Sequence, residues 1–256
     1  MRKFIAFHKK DWMEQVRSGR ITILAILFLL FGIMNPAIAK LTPWLLKTLS
    51  DSLAENGMTV TAVEVDAMTS WTQFFKNIPM GLIAFVLLES GIFTKEYESG
   101  TLIPVLTKGL ERYKVVLSKA AVLFVLWSAC YYACFAVTYG YNAYFWDNSV
   151  AENLLFAVFV WWLAGVFVLS LLVFFSSFAP SGNAVLVSTV GVFLAFYLAS
   201  FIPKVKAFLP AKLMESAPLL TGIETAADYS KAVITTAVLC TVCIAAAVPL
   251  FNKRKL

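Results

Sequence analysis

Few side chains in this sequence could do chemistry. Glu89 stands inside the apolar run at about 77–94. It lies six residues before Lys95, about 9 Å along a helix axis. A carboxylate at that depth is costly, so it is either a functional group or an inner-interface acid paired with a nearby Arg or Lys. His8 is the only histidine and precedes the first apolar run, so it cannot furnish a His-based site within a membrane. The four cysteines pair up as Cys130/Cys134 and Cys240/Cys243, each pair one helical turn apart inside an apolar run. They read as small buried hydrophobes, because a zinc site needs hydrophilic ligand clusters. Trp161 and Trp162 fall near the middle of another apolar run, where they either line a cleft or simply pack.

The sequence lacks G-x-x-x-x-G-K-[ST], G-x-S-x-G and H-E-x-x-H, and so lacks a Walker-type phosphate loop, a nucleophile elbow and a zincin pair. Paired intramembrane carboxylates are missing as well. No catalytic or metal-binding residues are therefore expected. Glu89 alone is also a thin basis for a proton-coupled transporter, which uses chains of buried ionisable groups.

The elements that must carry these residues are membrane spans. Hydrophobic residues make up 60% of the chain and charged residues 14%, with a mean hydropathy of +0.80. Six apolar runs, at about 21–39, 77–94, 117–139, 153–178, 184–202 and 232–250, approach or exceed the ~20 residues that cross a bilayer core. They are continuously apolar, without the alternation of a barrel strand, so an all-α membrane protein of six helices is expected. The first run follows about twenty residues of mixed charge without a small-residue cleavage site, so it reads as a permanent span rather than a signal peptide.

Lysine and arginine set the orientation. The N-terminal segment, the 95–119 connection and the C-terminal tail carry 14 of them, against seven in the longer loops 40–76, 140–152 and 203–231. Both termini are expected in the cytoplasm. The net charge of +6 follows from this bias and gives no sign of nucleic-acid binding.

Residues 2–18 read as an interfacial helix, with Ile5, Trp12, Met13 and Val16 on one arc and Lys10, Asp11, Glu14 and Arg17 mostly opposite. Pro36 is expected to kink or end the first span. An outer segment then carries Asp51, Glu55, Glu64 and Asp66, with Trp44 and Trp71 as interface anchors. Tyr139, Tyr141, Tyr144, Phe145 and Trp146 suggest an outer aromatic belt. Pro180-Ser181-Gly182-Asn183 marks a tight turn between spans 4 and 5. Residues 203–230 are broken by Pro203, Pro210 and Pro218 and read as short re-entrant or interfacial helices before span 6.

The connection Lys95–Lys119 holds five Lys/Arg and three Glu in 25 residues, far more than two spans need to be joined. Its run Glu96-Tyr97-Glu98-Ser99-Gly100-Thr101-Leu102, then Val105-Leu106-Thr107-Lys108-Gly109, Arg112 and Lys119, resembles the ABC-2 type permeases. Their first cytoplasmic loop commonly reads E-x-x-S-G-T-L, then L-L-[ST]-K-P, then S-R and a downstream lysine. Two positions depart: Gly109 stands where proline is usual, and Glu111 where a small polar residue precedes the arginine.

The resemblance implies a single transmembrane permease domain over 1–256. Its parts are an interfacial helix at 1–20, two spans in 21–94, a coupling loop at 95–119, and four spans with a basic tail in 120–256. It implies a coupling helix that docks on a separate ATPase subunit, with ATP and Mg bound there and no cofactor in this chain. Glu96, Glu98, Ser99, Gly100, Thr101, Leu102, Leu106, Lys108 and Arg112 are the coupling residues it points to. Ser99 or Thr101 is expected to cap the helix after Gly100. Glu89, Trp161 and Trp162 are the candidate cleft residues.

The expected assembly pairs two permeases, identical or not, with two ATPases in a bacterial plasma membrane, among membrane lipids. An apolar cleft suits export of a hydrophobic or amphipathic substrate, such as a toxin- or bacteriocin-like peptide or a drug. The alternatives are a membrane scaffold or sensor that recruits a cytosolic regulator, and a stand-alone secondary transporter. The scaffold would use the loop to recruit its regulator; the bland reading of the loop itself is a positive-inside connector whose Leu/Val face rests on lipid.

Overall fold

A computed structural model describes residues 2–54 and 65–254. Glu55, Glu64 and Lys255 lie outside the described residues, as does the side chain of Asp51. Eleven α-helices and two short 3-10 turns make up the described chain, without a strand among the described residues. Six helices are long and apolar enough to cross a membrane.

Helix α1 (Arg2–Arg17) leads through Ser18-Gly19 into α2 (Arg20–Ala54). Helix α3 (Ala67–Glu89) follows, then two short helices, α4 (Thr94–Glu98) and α5 (Ile103–Thr107). The bundle continues with α6 (Arg112–Phe145), α7 (Leu154–Ser176) and α8 (Gly182–Ala199). Short pieces come next: α9 (Pro203–Lys206), a 3-10 turn at Pro210–Met214 and α10 (Ala217–Leu220). They lead into α11 (Ala226–Lys253). Caps explain several boundaries: Asp66 accepts the Thr69 amide at the start of α3, Ser181 accepts that of Ala184 in α8, and Thr225 and Asp228 form a capping box on α11.

Pro36 does not end the first span. Helix α2 runs through Pro36 and Pro43 to Ala54. A proline inside a helix strands the carbonyl four residues earlier, here Gly32 O. That oxygen accepts the Thr138 hydroxyl of α6 at 3.0 Å. Asn35 Nδ2 in turn donates to Thr138 Oγ1 at 3.1 Å, and Asn77 Nδ2 donates to Asn35 Oδ1 at 2.8 Å. The freed backbone group is thus satisfied by a neighbouring span, as hydrocarbon requires. Gly32 permits the approach, since a Cβ there would lie 3.0 Å from Cys134 O.

The core lies between α2, α3, α6 and α7, around Phe28, Phe74, Phe85, Trp127 and Tyr131. Trp127 sits so close to Gly165 that a Cβ there would fall 2.3 Å from the indole. Trp71, expected as an interface anchor, is instead fully enclosed and donates to Asn148 Oδ1 at 3.1 Å. Trp44 is exposed. By contrast α8 encloses only Val185 and Thr189. The start of α1, the end of α11, the Ser90–Glu111 connection and the turn after α7 gather at one end of the bundle, joined by Lys3–Lys108, Arg112–Phe251 and Arg254–Ala179 hydrogen bonds.

Candidate coupling site at the terminal end of the bundle

Between α3 and α6 the backbone is punctuated by two left-handed glycines. Gly100 has φ +65° and follows Ser99, the last residue of α4's final turn. Gly109 has φ +83° and closes α5 after Lys108. Left-handed glycine after a helix is a common stop. Proline is locked near −65° and cannot take the conformation of Gly109, so this departure from the permease pattern has a local structural reason. Pro104 sits in the first turn of α5, where no amide is needed. The expected hydroxyl cap does not form: Leu102 holds the N-cap position without a side-chain bond, and Ser99 Oγ and Thr101 Oγ1 pair with each other at 3.0 Å.

The nine residues expected to couple divide into three groups. Glu96, Leu102 and Arg112 anchor the connection. Glu96 is buried, ion-paired with Lys119 Nζ at 3.2 Å and with Lys10. Leu102 is 1% exposed, within the core. Arg112 donates to backbone carbonyls at the end of α11. Leu106 is half-buried against the core and Gly100 is half-buried in its turn. Glu98, Ser99, Thr101 and Lys108 face outward. Ile103 joins them at 48% exposed, beside Pro104 and Thr107. Leu102 and Ile103, adjacent apolar residues, thus serve opposite sides.

Helix α1 supplies the partners that the sequence did not reveal. Ser118 Oγ donates to Asp11 Oδ2 at 2.7 Å, and Lys119 Nζ reaches Asp11 Oδ1 at 3.5 Å. His8 Nδ1 lies 3.1 Å from Ser118 Oγ, and Trp12 Nε1 donates to His8 Nε2 at 3.1 Å. Gln15 Nε2 donates to Glu89 Oε2 at 2.7 Å, with Arg20 3.5 Å from the same oxygen. Glu89 is therefore a completely enclosed acid tied to α1 and to the first turn of α2. Asp11, Glu14 and Glu96 bring carboxylate oxygens within 4.8 Å of one another, and the ammonium groups of Lys10 and Lys119 lie among them. Burial pushes the Asp11 carboxyl above its ordinary range, against the pull of Lys119 and Ser118. Burial alone would lower Lys10, but the bond to Glu96 outweighs it and holds the ammonium above its ordinary value.

The amphipathic arcs of α1 are inverted relative to those of a helix in water. Asp11 and Gln15, on the polar side, are buried among spans. Ile5, Met13 and Val16 are 63%, 42% and 62% exposed.

Trp161 and Trp162 lie far from this end. Trp161 is enclosed and donates to Met214 O at 3.2 Å, fixing the broken segment before α11. Trp162 is half-buried and donates to Ser128 Oγ at 2.9 Å. Neither is among the side chains lining an apolar groove of about 200 Å³ between α3 and α8, formed by Pro79, Leu82, Val86, Leu186 and Phe193 with Thr189. All four cysteines are free thiols.

Residues 5–256 match the family model for ABC-2 family transporter proteins. No curated protein and no solved structure compared with the chain matches it. A match over nearly the whole length, on six helices long enough to span a bilayer, places the chain in the ABC-2 transporter family as a multi-pass membrane permease of an ABC transporter.

Proposed function

We propose that this permease serves an ATP-driven exporter and that the outward side of α4 and α5 is the surface on which the ATPase acts. The division of the connection carries this reading. One side is held by Glu96, Leu102 and Arg112, while the other offers Glu98, Ser99, Thr101, Ile103 and Lys108 to a partner. Ile103 and Pro104 form the apolar contact, and Glu98 and Lys108 set its register through charge. Both termini and this connection lie in the cytoplasm, as the 14 lysines and arginines of these segments favour. ATP and Mg stay on the ATPase.

Force entering at α5 passes through the anchors rather than bending a loose loop. The Lys10–Glu96–Lys119–Asp11 ion network ties the connection to α1 and α6, and Gln15–Glu89 ties α1 to α3. A push therefore moves these helices as one body, a rigid-body switch that alternates access to a cleft between two permeases, identical or not. The groove between α3 and α8 supports a hydrophobic or amphipathic substrate, a toxin- or bacteriocin-like peptide or a drug, since apolar side chains dominate its lining.

Purification of the complex tests this. Ile103→Asp alters an exposed residue and leaves Leu102 in the core, so the permease should fold. An ATP-hydrolysing subunit that copurifies with the native permease is expected to be lost from the variant. Equal recovery of that subunit with both proteins, or ATP-independent transport by the isolated permease, contradicts the reading.

A further inference from the structure

The end of α11 is fastened to both the connection and the turn after α7. Arg112 NH1 donates to Phe251 O at 3.0 Å, Asn252 O at 3.0 Å and Arg254 O at 2.8 Å. Phe251 O also accepts the Arg254 amide at 3.3 Å, and a cation at a helix C-terminus suits both its last carbonyls and the helix dipole. Arg254 stands in extended backbone just past the helix. Its guanidinium lies 3.8 Å from the Tyr97 ring centroid, and its NH1 donates to Ala179 O at 2.8 Å. Tyr97 OH donates to Ser176 O at 3.3 Å. Phe251, fully buried, packs its ring against Phe93 and Tyr97.

Three segments far apart in sequence are thereby closed into one clasp. Tyr97 and Arg112 bracket the exposed α4–α5 surface. Ser176 ends α7 and Ala179 lies in the turn before α8, a helix that encloses only Val185 and Thr189. Phe251 and Arg254 end the last span.

We propose that Arg254 and Arg112 are positioning residues for transmission, carrying displacement of the α4–α5 surface into α7, α8 and α11. The ion network around Lys119 ties the connection only to α1 and α6, so among the described residues the clasp is what ties the connection to the second half of the bundle through polar contacts. Cation–π and charge-assisted bonds suit transmission because they are directional, and Arg254 provides both from one planar group. The inference rests on the coupling role proposed for α4 and α5.

The test uses the full-length permease in nanodiscs, alone and with its copurifying ATPase. For the permease alone, Arg254→Ala is expected to speed amide exchange at residues 177–185 by about fivefold or more, the loss of one such contact, and to leave residues 118–127 unchanged. In the complex the same variant should keep ATPase association and hydrolysis while substrate moved per ATP falls. Arg254→Lys, which retains charge and a donor, should recover part of that ratio. Unchanged exchange at 177–185, or an unchanged ratio of substrate to ATP, overturns the clasp. Loss of the ATPase from the native permease instead overturns the coupling reading on which the proposal rests, so the two failures are distinct.

Discussion

At the scale of single residues, buried charges depend on their partners. Lys119 and Glu96 are almost wholly enclosed. Removing one member of such a pair leaves an uncompensated charge, at about 3–5 kcal/mol, whereas replacing both with apolar residues of similar volume is often neutral or stabilising. Lys119→Met or Glu96→Leu alone is therefore expected to lower the melting temperature of the purified permease markedly. The double variant should lose less than the two single losses added together, without full recovery, since Asp11 and Lys10 each lose an ion-pair partner there. Additive losses in this double-mutant cycle would contradict a direct pair. Thr138→Val leaves Gly32 O without the donor that Pro36 denies it. The cost should be about 0.6–1.7 kcal/mol, the average-to-maximum range for interhelical hydrogen bonds within a membrane protein, read from unfolding in detergent. Glu89 was legible in the sequence as a buried acid wanting a basic neighbour, because an isolated carboxylate stands out in an apolar run. Its partners Gln15 and Arg20 were not, nor was the Lys119–Asp11 contact, since 108 residues separate that pair and nothing local encodes such a distance.

Single elements show where local rules sufficed and where packing overrode them. Span positions, the Ser181 turn and the broken stretch before α11 followed from apolar run lengths and prolines. The polar arc of α1 looked solvent-facing by period alone, but it seals against charged groups of α3, α4 and α6, which only the assembled bundle reveals. Gly109 is the local determinant of where α5 stops. Gly109→Pro should shorten or displace α5 and abolish ATPase association, while Gly109→Ala, strained at φ +83° by about 1–2 kcal/mol, should weaken it less. Equal association in all three proteins would show that the end of α5 is irrelevant. On the opposite end of the bundle, Lys212 donates to Glu224 Oε1 at 2.8 Å and holds that carboxyl below its ordinary 4.5, against a small opposing effect of burial. A depressed carboxyl contributes stability above 4.5 that is lost as pH falls through its folded value. The protection of amides at residues 210–224, taken relative to their intrinsic exchange rates at each pH, should therefore fall on acidification below that range and stay flat between neutral pH and 5. No such fall in Lys212→Met would assign the effect to this pair.

The whole molecule is a bundle in which one side is closed and the other is not. Helices α2, α3, α6 and α7 enclose the aromatic core, whereas α8 presents Val187, Val190, Leu194 and Leu198 outward. Composition made the six spans legible, and the pattern in Lys95–Lys119 made the family legible. What lay beyond reach was the sorting of that pattern into an anchored and an exposed side, because Glu96 and Glu98, or Leu102 and Ile103, differ only in which way the folded chain turns them. The central claim is that the exposed face of α5 meets an ATPase. The most direct measurement places a photo-crosslinking residue at Ile103 in the native membrane, with the same residue at Val187 as control. An ATP-binding protein is expected to be joined to the permease at Ile103 and none at Val187. A permease that crosslinks only to lipid at both positions, while still transporting substrate, would contradict the claim.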